Sequence, residues 1–245
     1  CLSQASYLVG DESTGRAVVV DPRRDVGEYV TDAAEAGLSI ELVVETHFHA
    51  DFLSGHLEMA AATGAEIGYS SVASPEFDYR PLGDGERLVL GEVVLEFRHT
   101  PGHTPACVTY IIGDACFTGD TLFMPDSGTA RCDFPGGSSA TLYQSIQKIL
   151  SLPDETRIFV CHDYKAPGRD VFAWETTVGE QKARNVHVGA GKDQDSFVQL
   201  RDARDAQLSM PKLIIPSLQV NMRAGNMPQA DKNGDVYLKV PINKM

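Results

Sequence analysis

Short apolar runs, broken by turn residues, set the rhythm of the N-terminal third. Residues 4–9 (QASYLV) and 16–20 (RAVVV) flank Asp11 to Gly15, a pattern that predicts two strands joined by a hairpin turn. In 26–36 (VGEYVTDAAEA) the pattern turns helical and is expected to stop at Gly37. Residues 40–45 (IELVVE) form the near-continuous apolar run of a strand buried on both faces, and they lead directly into THFHAD. A second helix is expected over 53–62 (LSGHLEMAAA), ending before Gly64.

The middle of the chain reads as strands at 87–90, 92–98, 107–112 and 115–118. Leu142, Ile146, Ile149 and Leu150 fall at helical spacing, so 139–150 is expected to be a helix capped by Ser138. Residues 157–161 (RIFVC) predict a buried strand ending at His162, with further helices at 175–186 and 195–208. The tail holds IIPSLQVNMRAG and a strand-like run at 236–240. There is no internal repeat or linker, so the alternation of strands and helices points to one layered α/β domain over 1–245.

Composition narrows the function. The 245 residues are 42% hydrophobic and 22% charged, an ordinary globular balance. No apolar run reaches the roughly 18 residues that would predict a membrane span. The net charge of −13 argues against a general nucleic-acid binder and suits a cytoplasmic protein. An anionic small substrate would still need a local basic pocket. The five cysteines (Cys1, Cys107, Cys116, Cys132, Cys161) are scattered, without the pairing of a disulfide framework or zinc ribbon. Cys1 stands where Met would open a chain; because 4–9 already reads as a strand, trimming explains this better than lipidation after signal cleavage.

The candidate chemistry lies just after the expected strands. His47, His49 and Asp51 follow 40–45; His103 lies in TPGHT; Asp120 lies in TGDT after 115–118; His162 ends 157–161. In an extended or turning backbone residues i and i+2 point to the same side, so His47 and His49 can face one point. Rigid strand ends then bring in His103 and Asp120. Imidazoles with a carboxylate suit zinc, iron or manganese. The remaining histidines, His56, His99 and His187, read as packing or exposed residues.

HxHxD, then PGHT, then TGDTLF, then a strand-end His, in that order, resembles the metallo-β-lactamase superfamily. The resemblance implies an αββα sandwich of two mixed sheets flanked by helices, with metal at one edge. Most dinuclear hydrolases of this fold read HxHxDH, whereas here Phe52 follows Asp51. A phenyl ring ligates no metal, so a single metal is expected. GTARCDF, TLYQSI, CHDY and VNMRAG further resemble the persulfide (sulfur) dioxygenases, the ethylmalonic-encephalopathy type, over about residues 5 to 225. THFHADFLSGH and DSGTARCDFPGG resemble its bacterial branches, some fused to a rhodanese domain that these residues do not contain.

That resemblance implies one Fe(II) per chain held by His47, His103 and Asp120, with molecular oxygen as co-substrate. The reaction implied is oxidation of glutathione persulfide to sulfite and glutathione, a step of hydrogen sulfide detoxification. His49 is then a fourth ligand or, preferably, an orienting donor to a bound water, with Asp51 and His162 hydrogen-bonding around the substrate. Asp163 and Tyr164 match the family's CHDY motif, and Tyr164 can donate to a ligand or to the distal sulfur. Arg131 matches the arginine of a GRTDF-like loop and, with the weaker candidate Arg223, would bind a carboxylate of the thiol. Cys132 and Cys161 read as packing residues beside the site. Implied partners are a second copy of the chain and a separate rhodanese, with no nucleic acid and no membrane. Two other readings stand beside this one: a glyoxalase II-like hydrolase of glutathione thioesters, and a non-catalytic persulfide sensor or binding module.

Overall fold

The computed structural model describes residues 3–240. Strands β1 (Tyr7–Asp11) and β2 (Arg16–Val20) form an antiparallel hairpin, and α1 (Gly27–Glu35) returns the chain to β3 (Ser39–Val44), parallel to β2. Helix α2 (His56–Thr63) leads to β4 (Glu66–Ser70), and β5 (Arg80–Leu82) completes a mixed sheet in the order β1-β2-β3-β4-β5. The second sheet runs β11-β10-β9-β8-β7-β6. Its strands are β6 (Arg87–Leu90), β7 (Val93–His99), β8 (Val108–Ile112), β9 (Ala115–Phe117), β10 (Arg157–Phe159) and β11 (Glu175–Thr177). All its pairs are antiparallel except β9 with β10, which α3 (Ser139–Leu150) connects. Helices α4 (Val178–Arg184), α5 (Gln194–Asp205) and α6 (Ile214–Asn221) follow.

Strand alternation explains the unbroken apolar runs. Val18, Val20, Leu42 and Val44 face the second sheet and pack with Phe97, Val108, Tyr110 and Phe117. Their neighbours Ala17, Val19, Ile40 and Val43 face outward, onto Tyr29 and Ala33 of α1 and Met59 of α2. On the far side, Cys116, Ile158 and Val160 pack against Leu142, Ile146 and Ile149 of α3 and Phe197 of α5. With both faces of both sheets covered, the layers are helix, sheet, sheet, helix, the αββα sandwich expected. No helix among the described residues is long and apolar enough to cross a membrane.

Several expected boundaries shift. Residues 175–177 are not helical: Thr176 and Thr177 favour a strand against β10, and the Thr177 hydroxyl then caps α4 by accepting from Glu180 N at 3.1 Å. The run at 236–240 forms no strand; it lies exposed, so its alternating apolar residues find no partner strand. Strand β1 begins at Tyr7, with Gln4 making only an isolated bridge to His162. Strands β4 and β5 were not expected, because Gly68 weakens the pattern of one and the other is a three-residue edge strand containing Pro81.

Two contacts lace the sheets together at one end. Val108 N donates to Thr46 O at 2.8 Å, and the Tyr110 hydroxyl donates to Glu45 O at 2.5 Å. At the same end the loop after β7 packs on α3 through Gly102, which has φ +138°. A Cβ there would lie 2.4 Å from both Leu142 N and Leu142 Cα. Gly102→Ala is therefore expected to cost about 2–4 kcal/mol in urea unfolding, from steric conflict and an unsuitable backbone angle together.

Candidate metal centre and its cavity

The strand ends deliver their side chains to the laced end of the sandwich. His47 Nε2 lies 3.8 Å and His103 Nε2 3.6 Å from the same atom, Asp120 Oδ2. These separations are too long for hydrogen bonds, yet the three ligand atoms all lie within 4.8 Å of one another. The other ring nitrogens fix the tautomers. His103 Nδ1 is 2.7 Å from Arg131 O, and a carbonyl only accepts, so Nδ1 carries the proton. His47 Nδ1 is 3.0 Å from Thr46 Oγ1, whose own proton is donated to Asp21 Oδ2 at 2.8 Å. Both Nε2 lone pairs thus face the Asp120 carboxylate with no proton between them. Burial, reinforced by the surrounding imidazoles, holds the His47 pKa well below its ordinary value and keeps the ring neutral. Two neutral imidazoles and a carboxylate, with oriented outer nitrogens, fit a divalent transition metal.

A second group of donors adjoins the first. His162 Nε2 lies 3.7 Å from Asp120 Oδ1 and 3.5 Å from Asp51 Oδ2. Asp120 Oδ1 and His162 Nδ1 are buried without hydrogen-bond partners. The Phe52 ring packs against the His49 imidazole at 4.3 Å and offers no lone pair.

His49 is held from behind. Its Nε2 lies 3.0 Å from both Asp21 Oδ1 and Glu45 Oε2, while its buried Nδ1 has no partner. Burial opposes charge on this ring, but the two carboxylates outweigh it and raise its pKa well above the ordinary value. Burial likewise pushes Asp21 up, whereas His56 and His49 overcome burial to hold Glu45 at about 2. His56 extends the network, with Nε2 2.9 Å from the Tyr69 hydroxyl and 3.0 Å from Glu45 Oε1. Sequence reasoning did not single out Asp21 or Glu45. The signal was there: each is an acid placed directly after an apolar strand, in RAVVVD and IELVVE.

These groups open into a cavity of about 700 Å³ lined by His47, Asp51, His103, Asp120, Phe123, Arg131, Phe134 and Tyr164 among others. The Tyr164 ring stacks on His162, with centroids 5.5 Å apart and planes 6° apart, and stays half exposed. Asp163 instead binds Arg169, Lys165 N and Ala173 N, tying down the loop that carries Tyr164. Arg131 reaches the cavity wall, but Nε and Nη2 are each 2.6 Å from the Asp133 carboxylate. Arg223 lies outside the cavity lining and pairs with Glu76 at 2.9 Å. From the same VNMRAG segment, Asn221 Nδ2 donates to His49 O at 2.9 Å and Phe52 O at 2.8 Å, a link that attention to the arginine missed.

Cys107, Cys116, Cys132 and Cys161 are buried. Burial pushes the first three thiols up to about 12, and Cys161 well above its ordinary value. His99 is structural, its Nε2 2.9 Å from Leu82 O. His187 accepts from Thr129 N at Nδ1, at 2.9 Å. Burial, then Arg201, Arg204 and Lys192, lower its pKa from 6.5 to about 3. Between those two values the unfolded chain binds a proton that the folded chain refuses, so stability falls as pH falls through that window. His187→Gln is expected to flatten this acid slope by up to about 1.4 kcal/mol per pH unit, read from urea unfolding of both proteins across the window.

The metallo-beta-lactamase superfamily profile matches residues 1–162. A probable metallo-hydrolase of Burkholderia pseudomallei is 40% identical over 97% of this chain and 95% of its own length. A beta-lactamase hydrolase-like protein of Xylella fastidiosa is 43% identical over 98% of the chain, which spans only 62% of that relative. The mitochondrial persulfide dioxygenase ETHE1 of Bos taurus is 33% identical over 90% of this chain and 84% of its own. Among solved structures, ETHE1 from Myxococcus xanthus superposes with a TM-score of 0.82 at 33% identity, covering 92% of this chain and 96% of that one.

Proposed function

Since the chain belongs to the metallo-β-lactamase superfamily, which binds metal ions, we propose that its centre is a mononuclear iron site that oxidises a persulfide with molecular oxygen. The observation that carries this reading is the three-donor face of His47, His103 and Asp120, with Phe52 where dinuclear relatives place a further histidine. Such a face leaves adjacent positions free for two reactants. Likeness to the bovine and Myxococcus proteins supports the same reading.

Fe(II) held there would supply the electrons that activate O₂ and a position for the terminal sulfur. Overall, RSSH, O₂ and H₂O give RSH, sulfite and two protons: the terminal sulfur is oxidised, O₂ is reduced, and water cleaves the S–S bond. The protein's own contribution is orientation. Thr46 and the Arg131 carbonyl aim the two imidazoles. His49, clamped and kept charged by Asp21 and Glu45, would present Nδ1–H as the donor that orients a bound water. Asp51 and His162 would hydrogen-bond the water that cleaves the S–S bond, and Tyr164 lines the cavity with its hydroxyl uncommitted among the described residues.

The test is oxygen consumption by iron-reconstituted protein given fresh glutathione persulfide, with iron content and sulfite measured on the same sample. Rapid uptake with sulfite at about one iron per chain supports the proposal. No uptake by fully loaded protein would sink it. A second reading, thioester hydrolysis, is favoured by one feature: Asp51, His162 and Asp120 Oδ1 still gather beside the first donors, as a second metal would require. Anaerobic hydrolysis of S-lactoylglutathione would establish that reading.

A further inference from the structure

His103 depends on the loop at 129–132 for one bond: the Arg131 carbonyl accepts from its Nδ1 at 2.7 Å. The bonds that fasten this loop come from far along the chain. Thr129 N donates to His187 Nδ1 at 2.9 Å, and Thr129 O accepts from Arg201 Nη1 at 3.1 Å. Cys132 N donates to Asp205 Oδ2 at 2.7 Å, and Arg131 Nη1 donates to Ser209 O at 2.9 Å. The backbone is thus gripped on both sides of Arg131, which fixes the direction of its carbonyl. All these partners lie beyond residue 162, where the match to the superfamily profile ends.

Arg201 and Asp205 stand one turn apart on α5 and act as one unit, with Nε 2.9 Å and Nη2 2.7 Å from Asp205 Oδ1. Their side chains are only 3% and 6% exposed. A buried ion pair seldom stabilises a fold more than apolar side chains of the same volume would. What this pair adds is direction, because its further bonds, from Nη1 and to Oδ2, both end on the loop backbone. Helix α5 is a firm base for it. Phe197 packs among Leu142, Ile146 and Ile149 of α3, and Ser139 Oγ donates to Asp202 Oδ1 at 2.7 Å.

We propose that Asp205, acting through Arg201 and the 129–132 loop, is a positioning residue for the metal ligand His103. The Arg131 carbonyl keeps the His103 proton on Nδ1 and leaves the Nε2 lone pair toward Asp120. With the clamp open the Arg131 peptide is free to rotate, and the ring loses both its fixed tautomer and its fixed angle. The inference concerns the metal centre and holds whether the reaction is oxidation or hydrolysis.

The test uses the full chain titrated with Co(II). Asp205→Asn leaves one acceptor oxygen where the clamp uses two, so either Cys132 N or Arg201 is released; Asp205→Ala releases both. Loss of a ligand's outer partner typically costs about 10–100-fold in metal affinity. In chelator competition Asp205→Asn is expected to weaken Co(II) binding about tenfold, and Asp205→Ala more. Leu95→Ala, in the core at the end of β7 away from His99, controls for lost stability and should bind Co(II) as wild type does. Proton NMR of the Co(II) protein in water gives a readout that general destabilisation does not move. The metal shifts the Nδ1–H signals of both His47 and His103. In the Asp205 variants the His103 signal is expected to broaden through solvent exchange while the His47 signal stays. Should Asp205→Ala not fold, Asp205→Asn decides alone. Unchanged affinity with both signals intact in Asp205→Asn, equal weakening in Leu95→Ala, or loss of both signals together overturns the inference. Wild type that takes up no Co(II) is a separate result: it overturns the metal centre, and the inference falls with it.

Discussion

Asp120→Ala is expected to strip the protein of its metal and of its activity together. Asp120 offers one oxygen to His47 and His103 and the other toward His162, so it is the hinge of both donor groups. Losing an outer partner of a metal ligand typically costs about 10–100-fold in affinity, and loss of a ligand itself should exceed that. The fold should survive, because removing a carboxylate that has no hydrogen bond on Oδ1 relieves buried charge. Metal content, unfolding midpoint and oxygen uptake, measured on one preparation, decide the matter. Activity retained by Asp120→Ala would refute the assignment of the centre.

The second large effect is on stability. Asp21 is 2% exposed and accepts from Thr46 N at 2.7 Å, from the Thr46 hydroxyl at 2.8 Å, and from His49 Nε2 at 3.0 Å. It also sits at φ +50°, a conformation that Asp and Asn tolerate better than Ala. Asp21→Ala leaves those donors buried and unanswered and adds backbone strain, an expected loss of about 3–5 kcal/mol in urea unfolding. Asp21→Asn retains one acceptor and the backbone tolerance, and should cost clearly less. Equal losses in the two variants would mean that the carboxylate acts through charge alone.

The two variants also show what was legible in the chain. The run IELVVE could be read as a buried strand, and RAVVV as a strand of the first hairpin, because their apolar residues cover both faces of the sheet. The histidines and Asp120 stood out because strand ends place them in recognisable contexts, and the structure gathers them at one edge. Asp21 was passed over because its role depends on a contact 28 residues along the chain, with His49. Arg223 drew attention through its fork, but Glu76 answers it, and the nearby Asn221 makes the link to the centre. Short elements such as β5 and β11 were hidden because three residues carry too little periodicity to register.

The buried cysteines bear on a different question, the safety of the protein from its own chemistry. A persulfide hands sulfur to any available thiolate, and oxygen chemistry at a metal oxidises thiolates readily. With burial pushing these thiols up to about 12, the reactive thiolate is disfavoured at neutral pH. The four described thiols are thus poor nucleophiles beside a centre proposed to act on sulfur. Turnover should proceed without self-inactivation, and native protein should resist thiol alkylation at these four positions until it unfolds.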